Sequence, residues 1–467
     1  MSFTPLVRSV SVIDITLTVD SNRNLYKIQK EVLMLTEEIL CKQFGISKKV
    51  YDYVTKIESE IKEKYFPDID KIREYNQYKV ISAMQENRLD YTHFYWNSGY
   101  GYGDIGREKV ESIFASVFHT EDALVRPSIA SGTHALYLTL SGILKHGDEV
   151  IAVTGKPYDT LLTVLGEENN EPGNLKEVGI IYKEIALKED YSIEVEACIN
   201  SITEKTKLLM FQRSTGYSFR PAFTMEKIKT AIKKIRETYP DIYIMVDNCY
   251  GEFVDTIEPS DIGADVVVGS LIKNPGGGIA LSGGYIVGKK AIIDRVANRL
   301  TAPGVGKEIG LTFGTTRNTL QGLFFAPHIT SEALKGAILF GAVFNSLGYE
   351  ITPRLDDNRS DIIQAIKFNN PDLVIKICEA VQAASPVDAH VTPVPWDMPG
   401  YTNEVIMASG AFVSGSSIEL SADAPIREPY IAYIQGGLFY DHSKLGVMIS
   451  LQKMLEHDNI EMKLNNR

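Results

Sequence analysis

Long apolar runs are missing from this sequence. No stretch approaches the ~18 uninterrupted apolar residues that a membrane-spanning helix requires. The amino-terminal segment MSFTPLVRSVSVIDITLTVD has only short apolar runs, cut by Arg8 and Asp14, and lacks the apolar core of a secretory leader. Together these absences predict a cytoplasmic protein with no membrane partner. Cysteine is also scarce. Cys41, Cys198, Cys249 and Cys378 are scattered without a C-x-x-C pair, which argues against a structural zinc site and a disulfide framework. The eight histidines include no H-E-x-x-H or other ligand spacing, so no metal is expected. Positive charge is in deficit, with 48 Lys and Arg against 60 Asp and Glu, a net charge of −12. Bulk nucleic-acid binding needs the opposite balance, because basic side chains must replace the counterions around phosphates. A small anionic ligand stays possible, since a local cluster of donors suffices for it.

What is present is the composition of a globular protein, 44% hydrophobic and 23% charged. At 467 residues the chain exceeds one ordinary core and suggests two or three domains. It shows no repeat of fixed period and no low-complexity tract. Residues 1–88 read as an extension, over about 1–24, followed by a helical arm. In that arm EVLMLTEEIL and VYDYVTKIESEIKEKY repeat apolar residues at three- and four-residue steps. Residues 89–328 alternate β-branched runs with helical stretches. Candidate strands are DEVIAVTG (148–155), KLLMFQRS (207–214), IYIMVDN (242–248), DVVVGS (265–270) and GGYIVG (283–288). Continuous Val and Ile runs joined by helical crossovers predict an α/β fold with a mostly parallel sheet in this large domain. Residues 329–467 read as a smaller C-terminal α/β domain, opening with the helix SEALKGAILFGAVFNSL and including LVIKICEAVQAAS.

Ligands of such sheets sit at the carboxyl ends of the strands, and chemistry-bearing residues cluster there. RPSIASGTHALYLTL places Ser131, Gly132 and Thr133 at the start of an apolar helix, where backbone N–H groups and short hydroxyls suit a phosphate. Taken alone, the segment reads more readily as a plain helix cap. IYIMVDNCYGEF ends an apolar strand in Asp247, a costly place for a carboxylate unless a cation or strong donor meets it; a turn with Asn248 is the simpler reading. In GSLIKNPGGG, Lys273 follows Ser270 by three residues. A partly desolvated lysine can form an imine with an aldehyde, although most lysines in glycine-rich turns carry no chemistry.

The combination is more telling than its parts. An imine-forming amine, a carboxylate for a protonated ring nitrogen and a phosphate anchor are what pyridoxal 5'-phosphate requires. Tyr158, in VTGKPYDTLL, follows the next predicted strand and can stack on the ring. Lys273 then anchors the aldehyde and afterwards moves protons.

The order Ser-Gly, Tyr, Asp, Ser-x-x-Lys resembles the fold-type I pyridoxal-phosphate enzymes, above all the cystathionine/methionine gamma-lyase group. The separations, 26 residues from Gly132 to Tyr158 and 26 from Asp247 to Lys273, are similar to those of that group. FQRSTGYSFRPAFT, VDNCYGEF, SLIKNPGGGIA, GGYIVG and QGLFFAPHIT resemble bacterial proteins of the methionine gamma-lyase family, also called aluminium-resistance proteins, from about residue 25 to near the C-terminus. The resemblance implies a homodimer or homotetramer and a lyase that breaks the C–S bond of an amino acid. It assigns Lys273 and Tyr158 to catalysis. Ser131, Gly132, Thr133, Tyr158, Asp247, Ser270 and Lys273 would bind the cofactor. Arg427, in ADAPIREPYIAYIQGGL, is the candidate clamp for the substrate carboxylate, with a surface ion pair as its alternative reading. Gln212 and Arg213 are candidate pocket residues.

One departure stands out. The wider group has a Tyr-x-Arg that reaches the neighbouring subunit's phosphate, whereas this chain has Tyr102 two residues after Tyr100, and Arg107 lies further along. Fold does not fix reaction, so an aminotransferase, aldolase or decarboxylase remains open, as does a catalytically silent binding or regulatory protein. The literal G-x-G-x-x-G at Gly101, Gly103 and Gly106 is preceded by the polar, aromatic QENRLDYTHFYWNSGY instead of a buried strand, which argues against a dinucleotide site.

Overall fold

The structure is a computed structural model that describes residues 20–455 apart from Asn170 and Pro399. The chain divides into two compact units, residues 1–53 and 54–467. In the first, helix α1 (Asp20–Phe44) precedes the start of α2 (Lys48–Glu86). The expected extension over residues 1–24 lies, up to residue 19, outside the described residues, and its last five belong to α1.

In the second unit a seven-stranded sheet is built from β1 (Asp122–Arg126), β2 (Glu149–Ala152), β3 (Ile181–Glu184), β4 (Thr206–Gln212), β5 (Tyr243–Asp247), β6 (Val266–Ser270) and β7 (Gly284–Gly288). The order is β1-β7-β6-β5-β4-β2-β3. Strands β3, β2, β4, β5 and β6 run parallel, while β7 is antiparallel to both β6 and β1. Residues 271–283 join β6 to β7 as a loop with a 3₁₀ turn at Asn274–Gly276 and no crossover helix, and the chain returns antiparallel. The helices of this region are α3 (Ile105–Val117), α4 (Gly132–Ile143), α5 (Asp159–Leu165), α6 (Val195–Ser201), α7 (Met225–Thr238) and α8 (Lys290–Leu300).

Both faces of the sheet are covered, which explains the unbroken apolar runs. In β6, Val266 and Val268 pack with Ala135 and Leu136 of α4 and Val296 of α8; Val267 faces the other way, with Ile113 and Phe114 of α3. In β5, Met245 joins the first layer, while Ile244 and Val246 pack with Ile228 and Ile232 of α7. Each such side chain contributes roughly 1.5–3 kcal/mol on burial.

Helix α9 (Thr316–Ser346) leads to a five-stranded sheet of β8 (Glu350–Thr352), β9 (Gln364–Lys367), β10 (Val405–Ala408), β11 (Ser421–Pro425) and β12 (Ile431–Gln435), flanked by α10 (Pro371–Ala384) and α11 (Tyr440–Met454). Its order is β10-β11-β12-β9-β8, with every pairing antiparallel. The sequence boundary at 328/329 falls inside α9, which continues through Pro327.

Candidate active site

Register brings the chemistry to one edge. Gln212 of β4 pairs with Asp247 of β5, and Asp247 pairs with Val268, two residues before Ser270 ends β6. The carboxyl ends of three adjacent strands therefore present Gln212, Asp247 and Ser270 side by side. Across the same opening, Ser131 caps α4, its hydroxyl accepting from the His134 N–H at 3.0 Å. Gly132 permits a close approach there: a Cβ would stand 3.3 Å from Ser270 Cβ and 3.4 Å from Cys249 Sγ.

Lys273 leaves β6 through a 3₁₀ turn, Asn274–Gly276. Buried Asn274 ties that turn down, donating from Nδ2 to the Glu252 carbonyl at 3.0 Å. Lys273 Nζ lies 3.8 Å from the ring centroid of Tyr250, a residue held at φ 71°. A bulky residue in the left-handed region is strained and needs support from its surroundings. Tyr158 begins α5. Its backbone N–H donates to Gln212 Oε1 at 3.1 Å, and its hydroxyl meets Thr133 Oγ1 at 3.0 Å.

Electrostatics follow from burial. Desolvation pushes the Asp247 carboxyl up, while Lys273 and the Cys249 N–H, 3.1 Å from Oδ1, pull it back without cancelling the rise. Burial works against the Lys273 ammonium, but Cys249, Tyr250, Asp247 and Tyr158 outweigh it and hold the amine well above its ordinary value. Tyr158 is raised by burial and by Asp247.

A cavity of about 250 Å³ collects these groups. Ser131, Gly132, Thr133 and Tyr158 line one side, with Gln212, Asp247, Ser270 and Lys273 facing them. Two sequence expectations are corrected. Arg213 is fully buried and does not line the cavity: Nη1 donates to Asn248 Oδ1 and the Gly251 carbonyl, each at 2.8 Å, and Nε donates to Ser360 Oγ at 3.0 Å. It braces the turn after Asp247. Arg427 lies in a neighbouring cleft with Phe219 and Pro429, its Nη1 3.9 Å from Asp159 Oδ2, so it too is outside the cavity that holds Lys273. Arg107 is buried and donates to the carbonyls of Gly101, Glu308 and Gly310, and no strand leads into the Gly101–Gly106 loop. Residues that sequence reading missed are Tyr250, Asp423, Gln435, Tyr217, Tyr401 and Tyr433, all on the cavity wall. The signal was their place in quoted motifs: Tyr250 in VDNCYGEF, Tyr217 in FQRSTGYSFRPAFT, and Asp423, Tyr433 and Gln435 in ADAPIREPYIAYIQGGL; Tyr401 lies in none of them.

The model of the methionine gamma-lyase family matches residues 50–455. The chain belongs to the methionine gamma-lyase family. Protein YnbB of Bacillus subtilis is 46% identical over 389 residues, 83% of this chain and 92% of its own. A Clostridium novyi structure described as a carbon-sulfur lyase involved in aluminum resistance is 49% identical, with a TM-score of 0.85 over 89% of this chain and 98% of its own. A Clostridium acetobutylicum structure reaches a TM-score of 0.87 at 45% identity, over 90% and 99% of the two chains. The pyridoxal-5'-phosphate dependent protein YhfS of Escherichia coli, 14% identical with a TM-score of 0.56, shares the fold alone. The architecture is that of the fold-type I pyridoxal-phosphate enzymes.

The residues present fit the cofactor that family and fold imply. A helix start with three hydroxyls around a glycine suits a phosphate, a buried carboxylate suits a ring N–H, and one amine suits an aldehyde. Among the described residues no cluster of His, Cys, Asp and Glu suits a metal, and no helix is long and apolar enough to cross a membrane.

Proposed function

We propose that this chain is a pyridoxal-phosphate-dependent lyase that cleaves the C–S bond of a sulfur-containing amino acid. The observation that carries the reading is the convergence of Lys273, Asp247, Tyr158 and the Ser131–Thr133 helix start on one cavity. When bound, pyridoxal phosphate supplies an aldehyde for amines and an electron-withdrawing ring that acidifies the α-proton of an amino acid. Asp247 holds the ring nitrogen in its protonated form. Ser131, Gly132, Thr133 and Ser270 would hold the phosphate, and Tyr158 would lie against the ring. Lys273 Nζ would hold the aldehyde and, when free of it, would be the base for the proton on the substrate α-carbon. Loss of the thiol from the β- or γ-carbon, followed by hydrolysis, gives a 2-oxo acid and ammonia. Family membership and the Clostridium novyi description support the C–S step.

The test is an absorption spectrum of the purified protein before and after borohydride, with peptide mapping of the reduced adduct. The expected result is a visible band that borohydride removes, a label on Lys273, and release of 2-oxo acid and thiol from sulfur amino acids. A protein that stays colourless and unlabelled with added cofactor would sink the proposal.

The working form on this reading is a cytoplasmic homodimer or homotetramer. Tyr91, Tyr95, Trp96, Tyr100 and Tyr102 are each 62–75% exposed within twelve residues of chain. An apolar patch of that kind is what a second copy covers.

A further inference from the structure

The cavity wall away from the strand ends has a different chemistry. Asp423, on β11, faces into it. Its Oδ2 accepts from Gln435 Nε2 at 2.8 Å, and its other hydrogen-bond partner is the Tyr217 side chain. Both donors are neutral. The cavity lining includes one basic side chain, Lys273, against two carboxylates, and under the proposed function Asp247 is committed to the ring nitrogen. Apart from Lys273, which would be committed to the aldehyde, no basic side chain among the lining residues is available to pair with Asp423. Arg427 does not fill that need, because it lies in the neighbouring cleft beside Asp159.

Tyrosines surround this carboxylate. The Tyr217 ring lies 5.2 Å from Tyr433 and 6.0 Å from Tyr401, tilted by 51° and 46°, so the three rings form walls and not a flat stack. Tyr250 closes the side toward Lys273. A carboxylate among aromatic side chains attracts a cation by its charge, and any ring face offered to the cation adds its quadrupole. The same wall repels a side-chain carboxylate and offers a neutral aliphatic chain no partner for Asp423.

We propose that Asp423, with Tyr217, Tyr401 and Tyr433, is a specificity site that receives a positively charged side-chain terminus, an ammonium or a sulfonium, on the amino-acid substrate. The inference rests on the lyase reading of this cavity and narrows its substrate class to cationic thioether amino acids and sulfonium amino acids. Burial raises the Asp423 carboxyl to about 6, against the opposing pull of Gln435, Lys273 and Tyr217, and its ionised form gains from a ligand that brings a positive charge.

The test uses the holoenzyme with L-lysine and its neutral isostere L-2-aminoheptanoate, neither of which carries a sulfur leaving group. Calorimetry should give lysine at least a tenfold lower Kd, and Asp423→Asn should bring the two within twofold. Tyr401→Leu, which keeps the carboxylate, should reduce the preference about threefold. Equal affinities in the wild type, no binding of lysine, or a preference that survives Asp423→Asn would overturn the inference. If Asp423→Asn fails to fold, the wild-type ratio and Tyr401→Leu decide. The visible band and thiol release are read on the same preparations. Failure of the lyase reading appears as a protein without the Lys273 adduct; failure of this inference appears as an intact adduct with no preference for charge.

Discussion

At the scale of single residues, the site separates groups that touch the cofactor from groups that hold those groups in place. Lys273→Ala removes the amine and leaves the fold largely intact, so the borohydride label should vanish while the circular dichroism spectrum is kept. A label that persists elsewhere in the cavity would displace Lys273 from its role. Tyr158→Ala should weaken cofactor binding by on the order of 1 kcal/mol through lost ring contact, measured as the cofactor Kd. Arg213 belongs to the second class. Its replacement by Met should lower stability by about 3–5 kcal/mol in denaturant unfolding, because Glu258, 3.9 Å away, loses a buried cation and Asn248 a donor. An unchanged unfolding midpoint would contradict that bracing role.

The pH dependence of ligand choice belongs at this scale too. Asp423 has its carboxyl raised to about 6 by burial, so it is charged above that pH and neutral below it. The lysine preference should therefore fade as pH falls through the Asp423 titration and return as pH rises above it. Tyr217, Tyr250, Tyr401, Lys273 and the buried Cys378 interact electrostatically with Asp423, and Tyr433 pairs with it across the strands. All are displaced upward, away from that window. A preference flat from pH 5 to 8 would remove Asp423 as the titrating group.

At the scale of elements, the lysine turn depends on how closely α9 approaches it. A Cβ on Gly322 of α9 would collide with the Gly276 carbonyl, and one on Gly276 with the Leu271 carbonyl. Gly322→Ala should cost about 1–3 kcal/mol by overpacking and lower the borohydride label per chain, since the displaced turn carries Lys273. Full labelling with unchanged stability would show that the contact is not needed. The glycines of SLIKNPGGG thus serve two purposes. Gly277, at φ 52°, ends the turn, and its lack of a Cβ, which would collide with the Gly322 carbonyl, lets α9 lie against it.

The elements were legible in proportion to their burial. The five predicted strands all lie at β2, β4, β5, β6 and β7, because residues covered on both faces read as continuous apolar runs. Strand β3 was missed because Ile181 to Glu184 is a half-exposed edge with no such run. Strand β1 hid in DALVR, whose pairing with β7 is a contact across more than 150 residues of chain. The boundary placed at 328/329 falls inside α9, which passes through Pro327 because the surrounding helix is buried and tertiary packing outweighs the lost hydrogen bond.

At the scale of the whole molecule, the exposed run from Tyr91 to Tyr102 leads to an assembly prediction. Sedimentation velocity of the wild type should show a dimer or tetramer, and replacing Tyr95 and Trp96 by Ser should shift the population toward monomer. A wild-type monomer at working concentration would discard the oligomer proposal.

The sequence by itself determined the parts of the site set by local order. Strand ends are fixed by where an apolar run stops, and helix starts by where a capping residue stands. Asp247, Ser270, Lys273, Tyr158 and Ser131–Thr133 could therefore be placed together before any coordinates. Only tertiary structure decided which charged groups reach the cavity. Arg213 and Gln212 are neighbours in sequence, but strand alternation turns one into the interior and the other to the opening. Arg427 and Asp423 lie four residues apart, and the docking of β11 against β12 puts the carboxylate in the cavity and leaves the guanidinium beside Asp159. Such choices depend on contacts between distant segments, which no local pattern encodes.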